Sequence, residues 1–213
     1  MGFVVLHMEK SHGTDAGTTA HIERTVIPSN ADPTRTHLNK ELVELPDGMN
    51  RTQAIQHRME TAGLKRKIGK NQVRAIHINL SGSPEDMQFV QSEGRLEEWC
   101  KDKMKWLGDT FGKENIVSAV LHLDETTPHI HATLVPIVTG ERRKAKDEAA
   151  KNTGKKKYKK KNTNAARLCA DDVMSRVRLK EYQNTYVEQM AKYGLQRGID
   201  GSEAKHVTTS QYY

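Results

Sequence analysis

Two apolar segments joined by a short polar connection constrain the fold of this chain more than any other feature. Residues 116–123 and 129–138 have the composition of strands, and the five residues Asp124-Glu125-Thr126-Thr127-Pro128 lie between them. A connection this short is typical of neighbouring antiparallel strands. Because further strand and helix patterns alternate along the chain, we predict an α+β fold. It is a single domain with a mainly antiparallel central β-sheet and flanking helices.

The remaining segments are assigned from apolar spacing and from turn residues. Between 84 and 111 the apolar spacing permits one long helix or two helices broken near Gly94. We also predict strands over 2–8 and 73–80, a loop over 11–19, and helices over 21–27, 50–62 and 168–193.

Three histidines lie where the two apolar segments meet. His129 and His131 are two residues apart, so on a strand they point to the same face. His122 ends the preceding segment, and strand pairing brings it beside them. Three neutral imidazoles form a compact site for a divalent cation with one side open. Zinc, nickel or copper fits such a site by affinity, whereas phosphate chemistry commonly uses manganese or magnesium.

The positive charge of the chain is concentrated in one segment. The formal net charge is +7, and residues 141–161 alone contain eleven basic and three acidic residues. This segment has almost no apolar residues, so we interpret 141–164 as a mobile basic loop. Such a loop attracts polyanions by neutralising phosphates, or it serves only as a solubilising insertion.

A cation bound by imidazoles next to basic residues indicates phosphodiester chemistry. The cation polarises a phosphoryl oxygen, and the nucleophile is either a metal-bound water or a side chain. The candidate side chains are His21, Tyr158, Tyr182, Tyr186 and Tyr193. The sequence contains no long apolar run and no secretion signal, so we expect an intracellular protein without membrane contact in this portion.

The histidine window resembles a known metal motif. Residues 122–131 read His-Leu-Asp-Glu-Thr-Thr-Pro-His-Ile-His, which is similar to the motif of HUH endonucleases in the form used by MobM/Pre plasmid mobilisation relaxases, the MOBV class. Residues 20–24, 30–39 and 201–206 resemble further motifs of that family, in the same order. The resemblance therefore covers residues 1–207, nearly the whole chain.

This resemblance implies an activity. Members of the family nick one strand of origin-of-transfer DNA, remain joined to the 5′ phosphate, and later rejoin the ends. It implies His21 as nucleophile, forming a phosphoramidate, and His122, His129 and His131 as ligands of a divalent metal, with Mn²⁺ the usual cation. Glu125 matches a carboxylate that acts as a base or as an orienting group.

The resemblance also implies DNA contacts and partners. The substrate is single-stranded or hairpin origin DNA. Arg24 is expected to hold the scissile phosphate, and we expect further DNA contacts from Arg35, Asn39, Arg66 and Lys70. Gly69 stands where the family pattern leads us to expect an arginine, so the sequence preference differs. We expect a catalytic domain over 1–207 and a tail over 208–213 of a cytoplasmic bacterial protein. The C-terminal region through which the family contacts accessory transfer proteins is expected to be absent from this chain.

Three other functions remain open from the sequence. The first is a tyrosine nucleophile on the same metal site, as in rolling-circle replication initiators and small transposases. The second is a non-catalytic nucleic-acid-binding protein with a structural histidine cluster. The third is a metalloprotease, which is disfavoured because the helical His-Glu-x-x-His and His-x-x-Glu-His signatures are absent from the sequence.

Overall fold

A computed structural model describes residues 2–11, 16–140 and 164–198. Its strands are β1 (Gly2–Ser11), β2 (Lys40–Val43), β3 (Ala75–Gly82), β4 (Ile116–His122), β5 (His129–Leu134), β6 (Ile137–Val138), β7 (Arg167–Leu168) and β8 (Leu195–Gln196). Its α-helices are α1 (Ala16–Ile22), α2 (Arg51–Thr61), α3 (Pro84–Ser92), α4 (Leu96–Phe111), α5 (Ala170–Val173) and α6 (Arg176–Met190). Short 3₁₀ helices cover Pro33–Leu38, Lys113–Asn115 and Ala191–Tyr193.

Six of these strands form one sheet. Their order is β2-β4-β5-β3-β1-β8, and all neighbours are antiparallel except β1 and β8. Strands β6 and β7 form a separate antiparallel pair. The predicted α+β fold with a mainly antiparallel sheet is therefore confirmed, and β4 and β5 lie side by side in the interior of the sheet.

One face of the sheet carries the main hydrophobic core. In β3 the alternate residues Ile76, Ile78 and Leu80 are fully buried, and they pack with Trp99 of α4 and Tyr186 of α6 in one cluster. Each large apolar side chain removed from water contributes about 1.5–3 kcal/mol. This layer of α3, α4 and α6 therefore fixes the orientation of the strands and of every side chain on their other face.

The opposite face is covered by helix α2 only at one end. Ala54, Ile55 and Met59 of α2 pack with Ala75 and Val117, the residues at the beginnings of β3 and β4. Towards the other end of these strands the same face presents polar side chains, including the histidines of β5. The sheet thus leaves room for a site at the end of β4 and the beginning of β5.

Several predicted elements are confirmed with small shifts of their ends. Helix α2 begins after Asn50, whose side chain accepts a hydrogen bond from the Gln53 amide in a capping box. The segment 84–111 forms two helices rather than one. Gly94 has a φ of +68°, a left-handed conformation that favours glycine and interrupts the helix.

Two helix predictions were wrong in extent. The helix predicted over 21–27 is α1, which ends at Ile22, and it begins inside the predicted loop 11–19. Arg24 adopts a φ of 55°, which no α-helix can continue through. The helix predicted over 168–193 is divided into β7, α5 and α6. Ser175 begins α6, its side chain accepting a hydrogen bond from the Arg178 amide.

Some predictions fall outside the described residues. The basic loop over 141–164 lies outside them except for Asn164, and the tail over 208–213 lies outside them entirely. Within the parts of the chain that the structure does describe, no helix combines the length and the apolar composition needed to cross a membrane.

Candidate active site

Strand pairing brings the three predicted metal ligands together. His122, the last residue of β4, is the register partner of His129, the first residue of β5. The ring centroids of His122, His129 and His131 are 4.8 to 5.2 Å apart. The three rings therefore form one compact group, as the spacing in the sequence predicts.

His21 reaches this group from a distant part of the sequence. It lies in the last turn of α1, and its ring centroid is 5.2 Å from that of His131 and 6.0 Å from that of His122. Two sets of side chains offer ligand atoms within 4.8 Å of one another: His21, His122 and His131, and His122, Glu125 and His129. The two sets share His122, so the site offers two overlapping groups of three potential ligands.

The hydrogen bonds of His129 suit a metal ligand. Its Nδ1 lies 2.8 Å from the Thr127 carbonyl oxygen, which can only accept, so Nδ1 carries the proton and Nε2 keeps its lone pair. That Nε2 lies 3.1 Å from Nε2 of His131. Consider two nitrogens that each lie about 2.0–2.1 Å from one ion. When the nitrogen–ion–nitrogen angle is between a right angle and the tetrahedral angle, the nitrogens are about 2.9–3.4 Å apart. His129 and His131 therefore have the separation of two ligands of one cation.

His122 is held by two protein groups. Its Nε2 lies 3.1 Å from the Ile22 carbonyl oxygen, and its Nδ1 lies 2.9 Å from Nη2 of Arg24. The carbonyl accepts and the guanidinium donates, so Nε2 is protonated and Nδ1 carries the lone pair. A cation bound by His122 in this orientation has to replace the Arg24 contact at Nδ1.

Arg24 is the centre of a buried ion-pair network. Its side chain is only 4% exposed, and Nε and Nη2 bind the two oxygens of Asp124 at 2.8 and 2.7 Å. Nη2 also contacts Oε1 of Glu125 at 2.6 Å, and Nη1 donates to the His21 carbonyl oxygen at 2.9 Å. The guanidinium therefore joins the α1 end to the β4–β5 connection. We expected it to hold a phosphate, whereas its donors are directed to protein groups.

Asp124 is a residue to which the sequence analysis assigned no role. Its carboxylate also accepts from Asn39 Nδ2 at 2.9 Å and from Thr36 Oγ1 at 3.2 Å. Asn39 in turn accepts from the Leu123 amide at 2.8 Å. A buried carboxylate needs several donors, and these side chains supply them. We expected Asn39 to contact DNA. In the structure, the nitrogen and the oxygen of its side-chain amide both form hydrogen bonds at the β4–β5 connection.

Glu125 faces the histidines while bound on both oxygens. Oε2 accepts from Asn30 Nδ2 at 2.8 Å, and Oε1 is 3.6 Å from His129 Nε2 and 3.9 Å from His122 Nδ1. Asn30 is a second residue to which the sequence analysis gave no individual role, although it begins the segment 30–39 that resembles a family motif. It orients the carboxylate towards the rings.

Burial and neighbouring charge keep the imidazoles neutral. Burial, with the charges of His129 and Arg24, lowers the pKa of His122 to about 3. Burial likewise lowers the pKa of His131 and of His21, with Arg24 contributing in both cases. Although burial alone would raise it, the pKa of Asp124 is well below its usual value because Arg24 and Asn39 donate to the carboxylate. At neutral pH the rings of His21, His122 and His131 are therefore uncharged, as metal ligands and nucleophiles must be.

The other predicted DNA contacts lie away from the rings. Arg35 lies half-buried in the 3₁₀ helix Pro33–Leu38, next to the segment that binds Asp124. Arg66 and Lys70 are exposed on the connection between α2 and β3. Leu64 and Ile68 of that connection pack at the beginnings of β3 and β4, so the connection lies at the end of the sheet opposite His122.

The described tyrosine candidates are on the wrong face of the sheet for the metal site. Tyr186 is 0% exposed, and Tyr182 lies in the same core cluster, its ring 4.9 Å from that of Phe111. The hydroxyl of Tyr193 donates to Asp102 at 2.5 Å. Tyr158 is outside the described residues. Of the candidates that the structure describes, His21 alone adjoins the metal group.

This geometry agrees with what similarity to known proteins indicates. The family model Mob_Pre, which describes plasmid recombination enzymes, matches residues 1–162. The chain belongs to the Mob/Pre family of plasmid recombination enzymes. The match includes all four histidines, Arg24, Asp124 and Glu125. The predicted family is therefore confirmed.

Individual relatives of the Mob/Pre family extend this similarity over the whole chain. A 65 kDa protein of Zymomonas mobilis is 31% identical over 96% of this chain and 31% of its own length. A plasmid recombination enzyme of a Bacillus species is 27% identical over 100% of this chain and 46% of its own length. The chain thus spans about a third to a half of the length of these curated relatives.

Solved structures share the fold. A manganese-bound crystal structure of the MobM relaxase domain, of the MOBV class, with 22 nucleotides of plasmid pMV158 oriT DNA has a TM-score of 0.77 at 25% identity. It covers 99% of this chain and 98% of that chain. The same domain bound to 26 nucleotides of this DNA has a TM-score of 0.66 at 20% identity.

Proposed function

We propose that this protein is a relaxase that nicks one strand of plasmid origin-of-transfer DNA, stays joined to the 5′ phosphate, and rejoins the ends. Membership of the Mob/Pre family supports plasmid DNA as the substrate, and the oriT DNA bound by MobM supports a single-stranded or hairpin origin. The observation that carries the proposal is the position of the His21 ring, 5.2 Å from that of the predicted metal ligand His131. We assign the activity to a domain of residues 1–207.

His122, His129 and His131 are the proposed ligands of a divalent cation. The 3.1 Å separation of the His129 and His131 nitrogens and the neutral state of the buried rings support this assignment. Manganese is the proposed cation because the MobM domain is manganese-bound, and magnesium, zinc and nickel are alternatives. When bound, the cation supplies Lewis-acid polarisation of a phosphate oxygen.

His21 is the proposed nucleophile. Its Nε2 is 3.5 Å from Nη1 of Arg24, and because a guanidinium only donates, Nε2 carries the lone pair. The lone pair attacks phosphorus, so that the P–N bond forms as the bond from phosphorus to the 3′ oxygen breaks. The oxygen leaves with the bonding electrons and takes a proton to become the 3′ hydroxyl. Rejoining is the reverse, in which that hydroxyl attacks the phosphoramidate and no ATP is required.

Glu125 and Arg24 position and stabilise His21 in this proposal. Attack leaves positive charge on the imidazole, and the negative charge of Glu125 favours the cationic form of that ring. Arg24 holds the His21 carbonyl at 2.9 Å and Glu125 at 2.6 Å, which supports a positioning role rather than direct phosphate binding. Asp124 and Asn39 then act by holding Arg24 and the β4–β5 connection.

We also propose that Arg35, Arg66 and Lys70 contact phosphates of the DNA. Arg35 is the candidate nearest the reacting phosphate, because its 3₁₀ helix contacts Asp124 through Thr36. Arg66 and Lys70 are candidates for contacts to more distant phosphates, since their connection lies at the other end of the sheet. Such contacts fix the register of the strand without reading its sequence.

The acid stability of the covalent adduct tests the nucleophile. A nicked, labelled origin oligonucleotide is incubated with the protein and manganese, and the adduct is exposed to acid before electrophoresis. A phosphoramidate is hydrolysed in acid, whereas a tyrosyl phosphodiester survives. We expect an acid-labile adduct that is absent in His21→Ala. An acid-stable adduct, or an adduct that persists in His21→Ala, contradicts the assignment.

A matched variant separates loss of chemistry from loss of folding. His57 is an exposed histidine on α2, at the other end of the sheet. His57→Ala is expected to nick like the wild type. His129→Ala is expected to lose cleavage while retaining most DNA binding. Strong salt-dependent binding without cleavage by the wild type in manganese instead indicates a non-catalytic DNA-binding protein.

A further inference from the structure

A basic groove runs along the edge of the sheet beside β1, on the side away from β3. It has a volume of about 440 Å³ and is lined by residues of β1 and α6 together with Arg197. Strand β8 pairs only with Gly2 and Phe3, so among the described residues no strand covers β1 beyond Phe3. The groove therefore combines an open strand edge with a helix surface.

Three cations line this groove. Arg176 and Lys180 are exposed and four residues apart on α6, so they occupy the same face of the helix, and Arg197 joins them after β8. No carboxylate occurs among the described lining residues. Glu9 lies 4.0 Å from His7 at the margin. The charged side chains among the described lining residues of the groove are therefore all positive.

A second, larger groove differs from the β1–α6 groove in the charges that line it. It measures about 670 Å³ and its lining includes three carboxylates and two arginines. Arg167 pairs with Asp172 at 2.9 Å, and Arg178 pairs with Glu181 at 2.9 Å. Its charges are compensated internally, so the β1–α6 groove is the better candidate for an anionic ligand.

Backbone donors add to the cations. Gln183 of α6 donates to the Leu6 carbonyl oxygen at 3.0 Å, which shows that the polar backbone groups of Leu6 face the groove. Backbone groups alternate along a strand, so those of Met8 face the same way. An N–H group beside exposed cations is a frequent arrangement in phosphate recognition.

One lining residue of the groove, His7, faces the same side of the sheet as the candidate active site. The register aligns His7 with Asn79 of β3 and Asn79 with His131 of β5. Register partners lie on the same face of the sheet, so His7 and His131 are two strand spacings apart, which is about 10 Å. This distance corresponds to about three nucleotides of a stacked strand at about 3.4 Å each. A DNA strand held at the histidines reaches the groove by crossing Asn79 and His7 and passing around the edge of the sheet at β1, because α6 packs on the opposite face.

We propose that the β1–α6 groove is a second binding subsite, which takes the phosphodiester backbone of the DNA strand a few nucleotides from the scissile phosphate. Arg176 and Arg197 neutralise its phosphates, and the bases play no part in recognition. This inference rests on the proposal that the protein acts on DNA, and it names a part of the substrate that the histidine site does not hold.

The test measures the salt dependence of binding to labelled oligo(dT), a probe without sequence preference. Affinities for chains of about 6 and about 20 nucleotides are measured by fluorescence anisotropy between about 50 and 200 mM salt. Losing two phosphate contacts reduces the slope of log K against log salt by about 1.4 for single strands. We expect this reduction in Arg176→Gln/Arg197→Gln for the longer chain, and a smaller one for the shorter chain.

A second double variant removes the same charge elsewhere. Lys105→Gln/Arg178→Gln changes exposed residues of α4 and α6 outside the groove, and we expect it to keep the wild-type slope. Thermal unfolding checks that both variants fold. Equal slopes for the two double variants overturn the proposal. A groove variant that loses binding to an oligoglutamate peptide but not to oligo(dT) also overturns it, in favour of an acidic protein partner.

Nicking distinguishes this inference from the proposed function. The groove variant is expected to retain manganese-dependent nicking of an origin plasmid at low salt, because its histidine site is unchanged. A wild-type protein that binds oligo(dT) with the expected slope but never nicks contradicts the relaxase proposal alone. An unchanged slope together with normal nicking contradicts the groove proposal alone.

Discussion

Arg24 combines a left-handed backbone with a buried charge. Its φ is 55°, a conformation that costs a non-glycine residue roughly 1–2 kcal/mol. Its guanidinium offsets this cost through hydrogen bonds to Asp124, Glu125 and the His21 carbonyl. The position of the nucleophile candidate therefore depends on an ion pair formed between residues 100 positions apart in the sequence.

Breaking this ion pair should destabilise the protein. Asp124→Asn keeps the size of the side chain but leaves the Arg24 charge without its main partner. We expect the free energy of unfolding to fall by about 3–5 kcal/mol, measured by urea denaturation. Glu181→Gln, which removes the partner of the exposed Arg178, is the control and should cost less than about 1 kcal/mol. Similar losses in both variants contradict the structural importance of Asp124.

The sequence predicts the clustering of these histidines better than it predicts the side chains that hold them. His122, His129 and His131 are recognisable because a two-residue spacing and a short connection are local patterns. Asp124 lies in the same window, but its partners Arg24 and Asn39 come from distant segments, and no local pattern indicates that pairing. The family resemblance led us to expect DNA contacts from Arg24 and Asn39, whereas both side chains bind Asp124 in the structure.

Lys103 is a buried lysine outside the active site. It is 0% exposed, its Nζ has no hydrogen-bond partner among the described residues, and it lies 4.0 Å from the centroid of the Trp99 ring. Burial lowers the pKa of Lys103 well below 10.5. Lys103→Met should raise the free energy of unfolding at pH 7 by about 1–3 kcal/mol, because an apolar chain of similar size replaces a desolvated amine.

The same residue gives a pH dependence of stability. Between its lowered folded pKa and 10.5, the unfolded state binds a proton that the folded state does not. The free energy of unfolding therefore rises with pH in this window, by up to about 1.4 kcal/mol per pH unit. Urea titrations from pH 7 to 9.5 should show a steeper rise for the wild type than for Lys103→Met. If the free energies of unfolding of the wild type and of Lys103→Met change in parallel with pH, Lys103 is not neutral in the folded state.

At the scale of elements, the strands were predicted more accurately than the first and last helices. Strands β4 and β5 show apolar runs that local composition reveals. The end of α1 is set by Arg24, which leaves the helical conformation to reach Asp124. Such a tertiary contact overrides helix propensity, and for this reason the predicted helix 21–27 was displaced.

Helix α2 provides a test at this scale. Asn50 caps it, and the helix covers the beginnings of β3 and β4. Asn50→Ala should lower the free energy of unfolding by about 0.5–2 kcal/mol, measured by thermal denaturation. Thr52→Ala, at an exposed position in the first turn, is the control with little expected effect. An unchanged melting temperature in Asn50→Ala means that the capping box contributes no stability.

For the whole molecule, cation binding and stability should be linked. A ligand that binds only the folded state adds about 2.7 kcal/mol at 100 times its Kd. We expect manganese to raise the melting temperature of the wild type and of His57→Ala, whereas His131→Ala should show no such rise. This measurement does not depend on cleavage. An equal rise in His131→Ala places the cation elsewhere.

The histidines of the site come from two kinds of scaffold. Three stand on interior strands whose backbone is fixed by neighbours on both sides, while the fourth is carried by a helix of seven residues. Substitutions in this one short helix can therefore change the residue that faces the three rings without altering the interior strands. The proposed metal ligands and the proposed nucleophile are thus carried by separate parts of the fold.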